Sequence, residues 1–144
     1  MRKLPVLLML LFALSCASAP ETQPTEEYYN IVAKQPLNFV VGRNDIDGAW
    51  ARALDWITAN SRMPIQKVEG DIIQTYRPPQ ESNLIGYTVT REKRMDGNYN
   101  VVVSMYGGTK SGEQIVTQGR TLAYFVQHGM FIPVVKSQPS PPAQ

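Results

Sequence analysis

Few residues in this chain are suited to catalysis. Of the side chains that most often act as nucleophiles, metal ligands or proton shuttles, it has one cysteine, Cys16, and one histidine, His128. One imidazole without a second histidine or cysteine beyond residue 16 cannot complete a zinc site. His128 stands directly before Gly129, where the end of a helix would favour a cation. No serine lies in a G-x-S-x-G elbow, so the local signature of a hydrolase nucleophile is missing.

Other short motifs fail on spacing. Lys110-Ser111-Gly112 has the K-[ST]-G order used by penicillin-binding enzymes, but no lysine here has a serine three residues before it, and that chemistry needs S-x-x-K. "GGTKSG" lacks the G-x-x-x-x-G-K-[ST] spacing that cradles phosphate. Asp45 and Asp47 start like a calcium loop, yet Ala49 holds the third oxygen position and no glutamate follows at the twelfth. Glu26 with Glu27, and Glu69 with Asp71, are paired carboxylates in polar surroundings, where nothing would raise a carboxyl pKa for acid catalysis. The sequence therefore predicts no enzyme, no metal and no cofactor.

Binding chemistry is better represented. "REKR" at 91–94 is the one local basic cluster, and Arg91, Lys93 and Arg94 on a hairpin would suit an acidic partner, a lipid headgroup or a cell-wall polymer. At about 100° per residue, Ile46, Trp50, Ala53, Leu54 and Ile57 share one helix face. Trp50 is then core, and Trp56 falls on the flank, available with Tyr99, Tyr106 and Phe131 for an exposed aromatic patch. The candidate interaction residues are Trp56, Arg91, Lys93, Arg94 and Tyr99.

These residues need elements to position them. "LNFVVG" at 37–42 reads as a strand, and the following stretch as a helix with Asn44 or Asp45 at its start and Asn60 and Pro64 at its end. Strands follow near 65–69 and 71–77, stopped by Pro78-Pro79. "GYTVTREKRM" and "NYNVVVSMYG" flank Asp96-Gly97, a hairpin signal whose far end is expected to project beyond the core. A short strand at Gln114–Thr117 and a final helix ending at an αL glycine, Gly129, complete the order. The fold class is α+β: an antiparallel sheet of four to five strands, one long helix packed on it and a shorter C-terminal helix.

The ends of the chain differ from this middle. Arg2 and Lys3 precede an apolar run from Leu4 to Leu14, about 11 residues, which suits a signal peptide and is too short to span a bilayer. Ala17-Ser18-Ala19 offers one cleavage site, disfavoured by Pro20. Ala13-Leu14-Ser15-Cys16 resembles the lipobox of bacterial lipoproteins. That resemblance implies cleavage between Ser15 and Cys16 and a lipid on the Cys16 thiol; with Ala17 next, it implies sorting to the outer membrane of a two-membrane bacterium. An exported chain whose only cysteine lies at the signal boundary forms no internal disulfide, which fits attachment rather than cross-linking.

Of the 14 Lys and Arg, Arg2 and Lys3 leave with the signal, so 12 basic residues face 12 acidic ones. A neutral chain has no electrostatic footprint for nucleic acid. The expected organisation is a signal peptide at 1–15, a lipidated tether at 16–36 whose Tyr28, Tyr29, Ile31 and Val32 dock as an edge segment, one domain at 37–136, and a Pro-rich tail at 137–144.

The element order, with "DGAWARALDWI" entering the first helix, also resembles the helix-grip domains of the lipoprotein C component of the bacterial outer-membrane β-barrel assembly machine. It implies a non-catalytic accessory that binds another envelope protein. The alternative expectation is a lipoprotein that binds cell-wall glycan or lipid. A small-molecule ligand is not expected.

Overall fold

A computed structural model describes residues 26–109 and 112–129. Three helices and five strands follow in the order α1 (Glu26–Ala33), β1 (Asn38–Val41), α2 (Ile46–Asn60), β2 (Ile65–Val68), β3 (Ile72–Thr75), β4 (Ile85–Lys93), β5 (Tyr99–Gly107) and α3 (Gly112–His128). The strands form one sheet in the order β1-β5-β4-β3-β2, antiparallel at every pairing. Four successive reversals leave β1 and β2 running the same way at opposite edges. α2 joins those two edges.

The α+β class holds, with two corrections to its helices. The C-terminal helix spans 17 residues against 15 for α2, so it is the longer of the two. Gln114–Thr117 forms the first turns of α3 and not a strand, because Ile115, Leu122, Ala123 and Val126 repeat at helical spacing along the side that meets the core. The segment at the start of the described chain is likewise a helix. α1 buries Val32, and it packs on α3 through Tyr28, whose ring meets Tyr124 edge-on at 6.1 Å. The ordered structure thus begins before residue 37. Residues 1–25, Lys110, Ser111 and 130–144 lie outside the described residues, and with them the expectations for Ser15, Cys16, Phe131, the K-S-G sequence and the tail.

α2 and α3 cover one face of the sheet. Phe39, Val41, Ile73, Ile85, Tyr87, Val89, Val101 and Val103 point towards them, and Ile46, Ala49, Ala53, Trp56 and Ile57 come from α2. At about 100° per residue, this buried stripe is turned by roughly 50° from the expected one, towards Ala49 and Trp56. The cause is α3, which lies beside α2 as a second wall. Arg52 fixes that side: its Nε and Nη2 donate to the Val126 carbonyl at 3.0 and 2.6 Å.

Asp45 occupies the N-cap position of α2, but its side chain makes no capping bond. Its backbone N–H donates to Gly42 O at 2.9 Å, so the preceding turn sets the entry to the helix. The Asp-Gly turn forms as expected, with Gly97 at φ 82°, a conformation that costs glycine little. The hairpin does not project freely, however. Arg43 N–H donates to Asn98 Oδ1 at 3.4 Å, bracing the tip against the loop between β1 and α2.

Tyr87 lies in the centre of the core, and its hydroxyl donates to Gln118 Oε1 at 2.7 Å. Burial pushes its pKa well above the ordinary value of 10.0. The unfolded chain therefore releases this proton at lower pH than the folded one, and Tyr87's contribution is intact below pH 10 and declines above it. Urea unfolding measured between pH 9 and 11.5 should show stability falling towards about 1.4 kcal/mol per pH unit above pH 10. Tyr87→Phe should remove most of that slope.

Candidate functional site

The residues singled out for binding are used mainly inside the fold. Trp56 is 2% exposed and its indole meets the Tyr87 ring edge-on at 5.4 Å. It is a core residue and not a flank anchor, because the rotation of α2 towards α3 turns position 56 inwards. Trp50 takes the marginal place instead, partly buried beneath Arg91.

Arg91 is correspondingly not free for a partner. Its guanidinium carbon stands 4.5 Å from the Trp50 ring centroid and 5.9 Å from that of Tyr99. Its Nε donates to Gly70 O at 2.6 Å, and Nη1 lies 3.5 Å from Asp47 Oδ1. One side chain therefore ties the start of α2, the turn between β2 and β3, and the two central strands. Tyr99 is held in the same stack. Arg94 pairs with Asp96 at 3.5 Å within the hairpin turn. Lys93 is exposed on β4, which leaves it the most available of the three cations in "REKR".

The expected aromatic patch therefore does not form from its described members. Trp56 is buried, Tyr99 is stacked under Arg91, and Tyr106 is partly buried with the Arg77 guanidinium 4.7 Å above its ring. His128 is exposed in the last turn of α3 and stacks on Tyr124 at 4.5 Å. No group of three His, Cys, Asp or Glu side chains suited to a metal ion occurs among the described residues.

A different surface is better suited to contact. None of the described helices packs on the second face of the sheet, and alternation along the strands assigns its side chains. Val102 stands between Asn38 and Thr90, and Thr90 faces Ile72 on its other side; Ser104, Thr88 and Gln74 form the next row. Tyr76, 51% exposed, continues the β3 line beside Tyr106 and Arg77. Between these margins the face carries hydroxyl, amide and aliphatic groups, with Glu92 as the charged residue at its hairpin end. Open sheet faces of antiparallel sheets ordinarily alternate to strongly polar residues, and loss of charge is the compositional mark of an interface centre.

Thr88 occupies the middle of this face. It is 8% exposed, and its Oγ1 has no hydrogen-bond partner. Burying a hydroxyl without a partner costs about 1–3 kcal/mol. Thr88→Val is expected to keep the shape, remove that cost and raise the midpoint of urea unfolding; a lower midpoint would show that the hydroxyl is satisfied in solution. The signal for this face lies in "NYNVVVSMYG", whose alternation puts Asn100, Val102, Ser104 and Tyr106 on one side of the strand, but local pattern does not tell whether a helix will cover that side.

Among the described residues, three clefts flank the helices, the smallest, of about 120 Å³, between Asn60, Arg62, Asn83 and Gln118; the larger two have the following walls. One, of about 490 Å³, lies between α1 and α3, with Tyr29, Val32, Val116 and Arg120 among its walls. Arg120 Nη1 donates to Ala33 O there, while its Nε is buried without a partner. The other, about 250 Å³, lies where Val40, Val41 and Gly42 meet Arg52 and Gln127. Neither gathers the convergent polar groups of a catalytic pocket.

The structure thus defines an α+β protein with a helix-covered sheet face and a charge-poor one on which no described helix packs. Comparison with known proteins adds no family, since no family model and no curated protein matches the chain.

Proposed function

We propose that this chain is a bacterial envelope lipoprotein, anchored through a lipid on Cys16 in the outer membrane and facing the periplasm. In this reading its domain is a non-catalytic accessory or scaffold that binds another envelope protein in an outer-membrane or secretion assembly. The observation that carries the address is the chain's only cysteine at the end of Ala13-Leu14-Ser15-Cys16. Among the described residues no helix is long and apolar enough to cross a membrane, so attachment in this proposal rests on the thioether and further acyl chains, each buried methylene contributing about 0.8 kcal/mol.

Protein binding is supported by the sheet face that no described helix covers, which offers little to an ionic ligand and a broad neutral surface to another protein. Intact mass of the protein extracted from membranes of a two-membrane bacterium tests the address. A mass starting at Cys16 with acyl chains is expected; a lipid-free mass starting at Pro20 would overturn it. Tyr76→Ala combined with Thr90→Glu should reduce recovery of the crosslinked envelope partner at least tenfold. Equal recovery would remove the face from the proposal.

Cell-wall glycan or lipid binding is the second reading, favoured by the exposed Tyr76 beside the Arg77 and Tyr106 pair, since sugars stack on such rings. Retention on purified sacculi that Tyr76→Ala abolishes would support it, and no retention of the parent protein would exclude it.

A further inference from the structure

The tip of the β4–β5 hairpin presents the most exposed large apolar side chain among the described residues. Met95 is fully exposed, at 109%, whereas Tyr76, the next, is 51% exposed. A single exposed apolar residue is ordinary on a protein surface, so its setting decides whether it has a use. The turn that carries it is closed by backbone bonds, from Arg94 N–H to Asn98 O at 2.8 Å and from Gly97 N–H to Arg94 O at 3.1 Å. Met95 is thereby held outward at a fixed apex.

Cations surround that apex. Lys93 and Arg94 directly precede Met95, and both are exposed. Arg43, also exposed, comes from the loop between β1 and α2 and stands against the turn: a Cβ at Gly97 would lie 3.7 Å from Arg43 Cδ. Of the acids near by, Asp96 pairs with Arg94 at 3.5 Å, and Asp45 Oδ2 is turned towards Gly42, 3.3 Å from where a Cβ would stand. Glu92 alternates to the opposite side of β4 from Lys93. The tip itself thus joins three cations and one acid to an apolar apex.

The start of α1 lies at the same end of the domain. Tyr28, the third residue of α1, meets Tyr124 at 6.1 Å, and Tyr124 meets His128 in the last turn of α3 at 4.5 Å. Gly129 follows, where a Cβ would lie 3.5 Å from Arg52 Cδ, and Arg52 shares a cleft with Val41, Gly42 and Asp45. Val41 in turn pairs with Tyr99, the first residue of β5 after the hairpin turn. Cys16 stands ten residues before Glu26, at most about 35 Å of extended chain. A membrane that holds the chain at Cys16 is therefore within reach of the end that carries Met95.

We infer that the hairpin tip is a membrane-contact site, in which Met95 enters the headgroup layer of an anionic bilayer while Arg43, Lys93 and Arg94 bind lipid phosphates. Apolar surface flanked by cations matches the two parts of such an interface. A convex tip with one apolar side chain at its apex suits a deformable lipid surface better than the broad contact a protein interface requires. The contact is weak alone, and a short tether strengthens it by raising the effective concentration of lipid. Its reach rests on the proposed anchor at Cys16, whereas the site itself does not.

Cosedimentation with vesicles tests this. The chain from residue 16 on, carrying Cys16→Ser so that no lipid is attached, should bind at millimolar lipid to vesicles of phosphatidylethanolamine with about one third phosphatidylglycerol, and far less to phosphatidylcholine alone. Met95→Ser with Lys93→Glu should lower the partition coefficient about tenfold, with unchanged circular dichroism confirming the fold. Lys67→Glu on β2 makes the same change in net charge away from the tip, and should alter binding by less than about twofold. A polarity-sensitive fluorophore attached through Met95→Cys should shift to the blue on the anionic vesicles. No binding at millimolar lipid, an equal loss in Lys67→Glu, or unchanged emission would overturn the inference. A native protein found without lipid would overturn the anchor and leave these results unaffected.

Discussion

Trp56→Ala is expected to be among the most destabilising single substitutions in the domain, lowering stability by about 3–5 kcal/mol, the range for removing a large aromatic from a packed core. The indole is almost wholly enclosed and contacts Tyr87 edge-on, so the substitution loses apolar burial, leaves a cavity between α2 and β4, and removes an aromatic pair. The surrounding residues cannot close that space cheaply: Ala53 and Ala49 are the nearest turns of α2 and are already small. Urea unfolding followed by circular dichroism measures the effect. A loss below about 1 kcal/mol would mean that Trp56 is solvent-facing in solution, and would return it to the list of interface candidates.

Arg91→Ala should cost about 2–3 kcal/mol, an unusual sum for a residue in a charge cluster near a strand end. Two terms contribute. Cation–π contact with Trp50 contributes about 0.5–2 kcal/mol, and a hydrogen bond from a charged donor to the Gly70 carbonyl adds about 1.5–3 before the exposed parts are discounted. The Asp47 pair adds little, since Asp47 is almost fully exposed. Arg91→Lys should recover only part of the loss, because an ammonium cannot lie flat on the indole while donating sideways to Gly70. A double-mutant cycle with Trp50→Phe separates the ring contact from the hydrogen bond. Lys93→Ala, by contrast, should change stability by less than about 0.5 kcal/mol, so any loss of ligand binding in that variant reports on binding alone. Arg91 variants cannot be read that way.

The difference between Arg91 and Lys93 shows how far the sequence could be read. Alternation placed both on one side of β4, and composition marked both as free cations. What separates them is position along the strand: Arg91 reaches Trp50 on α2, whereas Lys93, two residues nearer the turn, is exposed. No local pattern contains the distance from β4 to α2, because it is set by a crossover from one sheet edge to the other.

Other features depended only on neighbours in sequence, and these were legible. The Asp-Gly turn follows from a backbone conformation that glycine adopts at low cost, and the strands of the hairpin from alternating β-formers around it. The start of α2 follows from Asp45 and the periodicity after it, with Asp45 at the N-cap position, although the aspartate side chain does not make the expected bond. The proposed lipid attachment also rests on a local pattern, four consecutive residues, and its test is the mass of the membrane-extracted protein. The neutral charge of the chain after residue 16 is a count, and the weakness of its catalytic inventory follows from composition alone.

Tertiary structure decided the rest. Periodicity gives a helix an apolar stripe but not the number of walls that will cover it; once α3 lies beside α2, the buried stripe turns and Trp50 and Trp56 exchange roles. The same holds for α1, whose short Tyr- and Ile-bearing stretch has the composition of a strand until α3 supplies a surface for Val32 and Tyr28. Which sheet face the described helices leave uncovered, and which strands form its edges, is known only once strand order is known. By itself, the sequence determined the fold class and the hairpin, because those depend on residue types and short-range backbone preference. Which aromatic is core and which arginine is occupied were decided by packing between elements far apart in the chain, where burial and hydrogen bonding outweigh local propensity.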